Sequence, residues 1–338
     1  MKKSLLVVYN ICGISGRDNF NYYKHALSTI LGQSFDDFVL VISSCRNNKE
    51  QIDELVKHFF VSPKFGFINW TDERLPVNVT FNHTTQKAIE IFGEFDDYMY
   101  IDSGVSFTEM GQLSRLYRLH KSGPNAMTAA RTDTDTGVDQ WFGMTDEELF
   151  KNGPYIMPVG KAWNLHAQIF SPDILEAYGN FIPDIFASYC TESTFSFVCA
   201  ALRKNWILAD DVILRHLRSM DGASSGFSPH NLYTTLGNQV VEMVPPWQHL
   251  FRSRRPMTEI ISDPEGIKAG FGYEECAGVL VHDSEQYDEN GFCKNDDLKK
   301  FIKDNIYLSQ DLFDYSKIQS KVLINNGCFA FTSKHQNS

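Results

Sequence analysis

The chain has 338 residues, of which 43% are hydrophobic and 13% aromatic, enough apolar surface for a full core in one large unit with a smaller partner. Its 31 basic and 42 acidic residues leave a net charge of −11, which repels polyanions on average and weighs against a protein that coats nucleic acid in bulk. No apolar run approaches the ~18 residues of a membrane-spanning helix.

Met-Lys-Lys at the start leads into Leu5-Leu-Val-Val-Tyr9. About five apolar residues fall short of the roughly 7–15 in the core of a signal peptide, so a cytoplasmic protein is expected. The same run reads as the first strand of a parallel sheet covered on both faces, ending at a loop with Gly13 and Gly16. Tyr23, Leu27, Ile30 and Leu31 recur at helical spacing up to Gly32, and Phe38-Val-Leu-Val-Ile42 supplies the second strand. Ile52, Leu55, Val56 and Phe59 form the stripe of a second helix. The residues around Trp70 read as a connection, followed by a helix that begins at Thr85 and Gln86 and carries Ala88, Ile89 and Phe92 on one side with Thr85. A strand from Tyr98 to Ile101 then delivers one carboxylate, Asp102, to a strand end. The order β-α-β-α then α-β specifies a mostly parallel sheet wrapped by helices, and in such a sheet nucleotide ligands and their metals gather at that edge.

Beyond Asp102 the pattern predicts a helix near 109–121, a strand from Ala126 to Ala130 and an irregular Gly/Pro-rich stretch from Gly137 to Gly160. A strand from Trp163 to Phe170 follows, then a helix from about Thr191 to Leu202 and a closing strand from Trp206 to Leu214. Near Asp221 the composition changes, first Ser/Gly-rich, then Pro245-Pro246, then Arg252-Ser-Arg254-Arg255-Pro256. Seven cysteines without a Cys-x-x-Cys pair fit reduced thiols better than a disulfide frame or a zinc site.

Five pieces stand in a telling order: Val7-Val8-Tyr9-Asn10; LSTILGQSF from Leu27 to Phe35; FVLVISS from Phe38 to Ser44; Gln86-Lys-Ala-Ile89; and Tyr100-Ile-Asp102-Ser-Gly104. Together they resemble the family-2-type glycosyltransferases, enzymes of the GT-A fold that move a sugar from a nucleotide donor. The resemblance implies an α/β fold, a GT-A-like Rossmann-type αβα sandwich with a mostly parallel sheet plus a C-terminal extension. With the change in composition near Asp221 as the boundary, the chain divides into a catalytic domain, 1–220, with a nucleotide-sugar half at 1–105 and an acceptor half at 106–220, and an extension at 221–338 of unknown role. Two departures stand out. Ser43 and Ser44 fill the place of the acidic residue that contacts the base, and the Asp-x-Asp motif has become Asp102-Ser103-Gly104.

The resemblance implies a divalent metal, Mn2+ or Mg2+, and such ions take several oxygen ligands. With one carboxylate missing, Asp102 is joined by His216, in Ile213-Leu-Arg-His216-Leu-Arg-Ser219, as the candidate metal pair; the other reading of His216 is a backbone hydrogen bond. Asp133-Thr134-Asp135 is a rival Asp-x-Asp, read as a solvated turn. Nucleotide-sugar contacts are expected from Asn10, Ser43, Ser44 and Arg46 at two strand ends, from Thr85 and Gln86 at a helix start, and from Asp102, Ser103 and Gly104. Trp163 and His166 are the acceptor-side candidates, and Arg252, Arg254 and Arg255 either clamp a phosphate or form a solvated surface run.

Glu192, in Cys190-Thr191-Glu192-Ser193, is the candidate catalytic residue. In the family the acidic residue at this helix start looks like the general base, and a helix N-terminus with Thr191 as cap keeps a carboxylate ionised; the other reading is a first-turn Glu that merely stabilises its helix. The expected activity is an inverting transfer from a nucleoside-diphosphate sugar, UDP-type, to a hydroxyl of a glycan or lipid-linked sugar. Two alternatives stand beside it: transfer to hydroxymethylated bases of viral DNA, and a nucleotide-sugar-binding module without turnover.

Overall fold

Three strands built on apolar runs make the centre of the sheet: β1 (Leu5–Cys12), β2 (Phe38–Cys45) and β4 (Asp97–Ile101), with every residue of β2 and β4 buried. The computed structural model describes residues 3–12, 17–45, 47–72, 75, 77–134, 144–159, 161, 163–183, 192–217, 288–305, 307 and 315–327. β1 pairs in parallel with β2 on one side, Asn10 opposite Ser43, and with β4 on the other, Tyr9 opposite Ile101. Alternation sorts the strand residues onto two faces. Leu6, Val8, Val39, Val41, Tyr98 and Tyr100 share one core with helix α3 (Val77–Phe92); Leu5, Val7, Leu40, Ile42 and Ile101 share the other with α1 (Arg17–Leu31) and α2 (Lys49–Phe59).

The segment around Trp70 is a strand, not a connection: β3 (Phe65–Thr71) lies parallel to β2. Gly66 and Asn69 interrupt its apolar pattern for structural reasons. A Cβ at Gly66 would stand 2.7 Å from Val39 Cγ1 and 3.1 Å from the Phe92 ring, so only glycine lets the strand sit this close. Helix α3 starts eight residues before the expected position, which corrects the placement of Thr85 and Gln86: both lie in mid-helix, where no orphan N–H groups point at a ligand.

The second half builds the other flank. After β5 (Val105–Ser106) come α4 (Gln112–Lys121), β6 (Asn125–Thr132), a short helix α5 (Asp146–Leu149), β7 (Tyr155–Ile156), β8 (Ala167–Phe170), α6 (Pro172–Tyr178), α7 (Glu192–Ala201) and β9 (Asn205–His216). β8 is shorter than expected, so Trp163 lies outside it; the Trp163 side chain is 2% exposed and belongs to the core with Phe195 and Trp206, a correction to its place on the acceptor face. Helix α8 (Asp297–Asn305) packs against α6 and α7, and β10 (Ser320–Ile324) adds an antiparallel strand to the free edge of β3. Among the described residues the sheet is ten-stranded in the order β10-β3-β2-β1-β4-β8-β6-β9-β5, with β7 against β9.

Cys45 is disulfide-bonded, which corrects the expectation of uniformly reduced thiols; its register neighbour on β1 is Cys12. Cys199 and Cys293 are free and buried. No helix among the described residues is long and apolar enough to cross a membrane.

Candidate functional site

The chain lays β1, β2 and β3 outward in one direction and returns to place β4 on the other side of β1. Such a reversal opens a crevice at the carboxyl ends of the two strands that flank it, here β1 and β4. Asp102, the first residue after β4, stands at this rim and is partly exposed. Its Oδ1 accepts the Tyr100 hydroxyl at 2.8 Å and the Ser103 N–H at 2.8 Å. Tyr100 lies two residues back on the same face of the strand, so strand periodicity itself puts that hydroxyl within reach. The Asp102 N–H donates to the His166 carbonyl at 2.8 Å.

The turn after Asp102 is closed by the Val105 N–H to the Asp102 carbonyl at 3.3 Å and needs Gly104 at φ +83°, a left-handed conformation that disfavours a side chain. β5 then pairs antiparallel with the last residues of β9, Val105 opposite His216. This pairing carries His216 back to the rim. Its backbone N–H donates to Asp133 Oδ1 at 2.8 Å, its Nδ1 lies 3.1 Å from Thr134 Oγ1, and its ring centroid is 4.3 Å from that of His166. Residues 102, 166 and 216, far apart in sequence, are thus gathered at one strand edge. Asp133, the described carboxylate of the rival acidic motif, holds the His216 main chain; Asp135 lies outside the described residues.

Among the described residues no three His, Cys, Asp or Glu side chains form a group able to hold a metal ion. One carboxylate and one or two imidazoles suit a cation that arrives with phosphate oxygens and water to complete its shell, not one the protein grips alone.

The remaining candidates are placed elsewhere. Asn10, Ser43 and Ser44 are 5%, 2% and 1% exposed. Thr80 Oγ1 donates to Asn10 Oδ1 at 3.3 Å, Ser43 Oγ donates to the Thr80 carbonyl at 3.4 Å, and Asn47 Nδ2 donates to Ser44 Oγ at 2.6 Å. In register with Asn10 and Ser43, Asn69 continues the row across β3 and donates to Thr84 Oγ1 at 2.9 Å. These side chains therefore form a polar seam that fastens α3 and the loop after β2 to the sheet, a different use from contact with a base. Thr85 is 1% exposed, and Gln86 Nε2 donates to Asn180 Oδ1 at 3.1 Å. Ser103 and Gly104 stay with Asp102 in the rim turn. Glu192 is the first residue of α7, as the helix pattern implied; its side chain, Thr191, Arg46 and the Arg252, Arg254 and Arg255 cluster lie outside the described part. Tyr100, Asp133 and Thr134 fix the orientation of the rim; strand alternation aims Tyr100, whereas Asp133 and Thr134 are legible in the sequence only as an acidic turn and not as supports of His216.

No protein-family model matches the chain, and no curated protein matches its sequence. Among solved structures it is similar to the mannosyltransferase PcManGT from Pyrobaculum calidifontis in complex with GDP-Man and Mn2+, with a TM-score of 0.51 at 10% sequence identity over 86% of this chain and 78% of that one. The mixed α/β architecture with its large, mostly parallel central sheet is thus similar in fold to that solved structure.

Proposed function

We propose that the protein is a glycosyltransferase that moves a sugar from a nucleoside-diphosphate sugar to an acceptor hydroxyl with inversion at the sugar carbon. The observation that carries this reading is the convergence of Asp102, His166 and His216 at the switch point of the sheet, the place where the fold offers a crevice to a nucleotide. That the solved neighbour holds GDP-Man and Mn2+ supports the same ligand class here.

In the proposed reaction the acceptor oxygen attacks the anomeric carbon from the face opposite the diphosphate. The bond from that carbon to the diphosphate oxygen breaks, and its electron pair leaves with the diphosphate. Asp102, oriented through Oδ1 by Tyr100 and Ser103, and His216, held by Asp133 and Thr134, are the residues that would hold a divalent ion. When bound, that ion supplies positive charge against the departing diphosphate. Glu192, at the start of α7, takes the proton of the acceptor hydroxyl, and the helix N-terminus favours its ionised form.

The test is thermal unfolding of the protein with UDP or GDP, each with and without Mn2+, alongside Asp102→Asn. A diphosphate at about 100 times its dissociation constant raises stability by about 2.7 kcal/mol. Stabilisation that requires Mn2+ and disappears in the Asn variant supports the reading; no stabilisation by either nucleotide, or an unchanged response in the variant, overturns it.

A further inference from the structure

Tyr22 belongs to α1, which packs on the face of the sheet opposite the Tyr100 side chain. Its hydroxyl donates to the Gly104 carbonyl at 2.9 Å and stands 3.0 Å from Ser106 Oγ. A phenol has a single proton, so with that proton directed at Gly104 the Ser106 hydroxyl is the donor of the second bond. The Gly104 carbonyl also accepts the Leu217 N–H at 3.1 Å. One oxygen therefore ties three pieces together: α1, the turn that follows Asp102, and the residue that follows His216. Burial raises the Tyr22 phenol above its ordinary pKa, with Ser106 and Arg215 opposing and Asp133 adding to the rise, so the hydroxyl remains a donor throughout the neutral range.

The turn is also held by the Ser103 N–H to Asp102 Oδ1, the Asp102 N–H to the His166 carbonyl and the pairing of Val105 with His216. Its internal bond, Val105 N–H to the Asp102 carbonyl, is long at 3.3 Å, and Gly104 has no side chain to limit the backbone. A shift of the Gly104 carbonyl moves the backbone beside both Asp102 and His216, and a rim that must be re-ordered when a ligand binds loses affinity. We propose that Tyr22 is a positioning residue for the Asp102–His216 rim, acting through the Gly104 carbonyl to hold the rim in the geometry that takes a nucleoside diphosphate together with a divalent cation. This inference rests on the proposed function and adds to it a residue from a helix on the far side of the sheet.

The experiment compares wild type, Tyr22→Phe and Asp102→Asn by calorimetric titration with UDP and GDP, each in the presence and absence of Mn2+, and reads the factor by which Mn2+ improves affinity. Phe keeps the ring in place and removes only the hydroxyl, so loss of its hydrogen bond should lower the Mn2+ factor about fivefold while affinity without Mn2+ stays as in wild type. A purely structural role for Tyr22 lowers the melting temperature and leaves the Mn2+ factor unchanged; that result, with Asp102→Asn losing the factor, overturns the positioning role alone. If neither nucleotide binds wild type, or if Asp102→Asn keeps the full factor, the rim is not the nucleotide site and the proposed function falls with the inference.

Discussion

The main-chain N–H of His216 donates to the side chain of Asp133 at 2.8 Å, which binds the last residue of β9 to the turn that follows β6. Because β6 and β9 run in parallel, both strands end at the same edge, and the two-residue step Asp133-Thr134 reaches the backbone and the ring of His216 at once. Two of the acidic positions that compete for attention in the sequence thus have complementary places: Asp102 on the rim and Asp133 behind it.

Asp133→Ala removes the acceptor of that bond and leaves the Thr134 contact to the ring. His216 then loses its backbone anchor, and Mn2+-dependent nucleotide binding should weaken roughly threefold, the scale of one net hydrogen bond. Titration with GDP or UDP in Mn2+ checks this; unchanged affinity would show that β-pairing with Val105 alone holds His216 in place.

Gly66→Ala tests the close approach of β3. The new methyl group would meet buried Val39 Cγ1 at 2.7 Å and the partly buried Phe92 ring at 3.1 Å, so at least the Val39 side chain must shift. Overpacking of this kind costs about 1–3 kcal/mol, read from urea denaturation. Shortening the obstructing side chain in Val39→Ala/Gly66→Ala should recover part of that loss, and additive losses in the double variant would contradict the steric account.

Local pattern explains how much was readable. β1, β2 and β4 announce themselves as unbroken apolar runs because both of their faces are covered, and Asp102 stands out as the carboxylate that ends one of them. Helix α6 is absent from the expected elements although its ends carry local signals, Ser171 as cap, Pro172 in the first turn and Gly179 in the left-handed region; at seven residues it is too short to show a periodic stripe. β3 is masked by Gly66 and by Asn69, whose polar side chain belongs to the seam under α3. The gathering of His166 and His216 beside Asp102, and the reach of Tyr22 to Gly104, arise from contacts 50 to 114 residues apart in sequence, to which a periodic reading is blind. β10 is harder still: its five residues are half-buried or exposed, and it becomes a strand only because β3 offers an edge.

One side chain just beyond β10 adds to the ladder that docks it. Asn325 is 3% exposed; its Nδ2 donates to the carbonyls of Ser62 at 3.0 Å and Phe65 at 2.8 Å, and its backbone N–H donates to the Gly66 carbonyl at 2.8 Å. Asn325→Ala leaves two carbonyls without these donors, at a cost of about 1–3 kcal/mol. Hydrogen exchange should then quicken in β3 and β10 before it does in β1 and β4, whereas uniform quickening would mean that β10 contributes to the fold as a whole rather than to this edge.

His83 gives the fold a specific acid sensitivity. It lies on α3, 3% exposed, accepting the Asn69 Nδ2 at 3.1 Å on Nδ1 and facing the Tyr315 ring with centroids 6.2 Å apart. Burial lowers its pKa to about 4, with Lys87 adding to the effect and Glu90 opposing it. The folded protein therefore keeps this imidazole neutral, and the bond from Asn69 requires it to be. In the unfolded chain the same group takes a proton near its ordinary value of 6.5. A depressed folded pKa favours the folded state fully above the unfolded pKa, and that contribution drains away as pH falls from 6.5 toward 4. Between about pH 7 and pH 4.5 the loss should be about 2–3 kcal/mol. His83→Gln, which has no proton to gain in this window, should start less stable because packing against Tyr315 is altered, yet fall less steeply with acid. Urea denaturation of both proteins at a series of pH values measures the difference, and parallel slopes would place the acid sensitivity of the fold elsewhere.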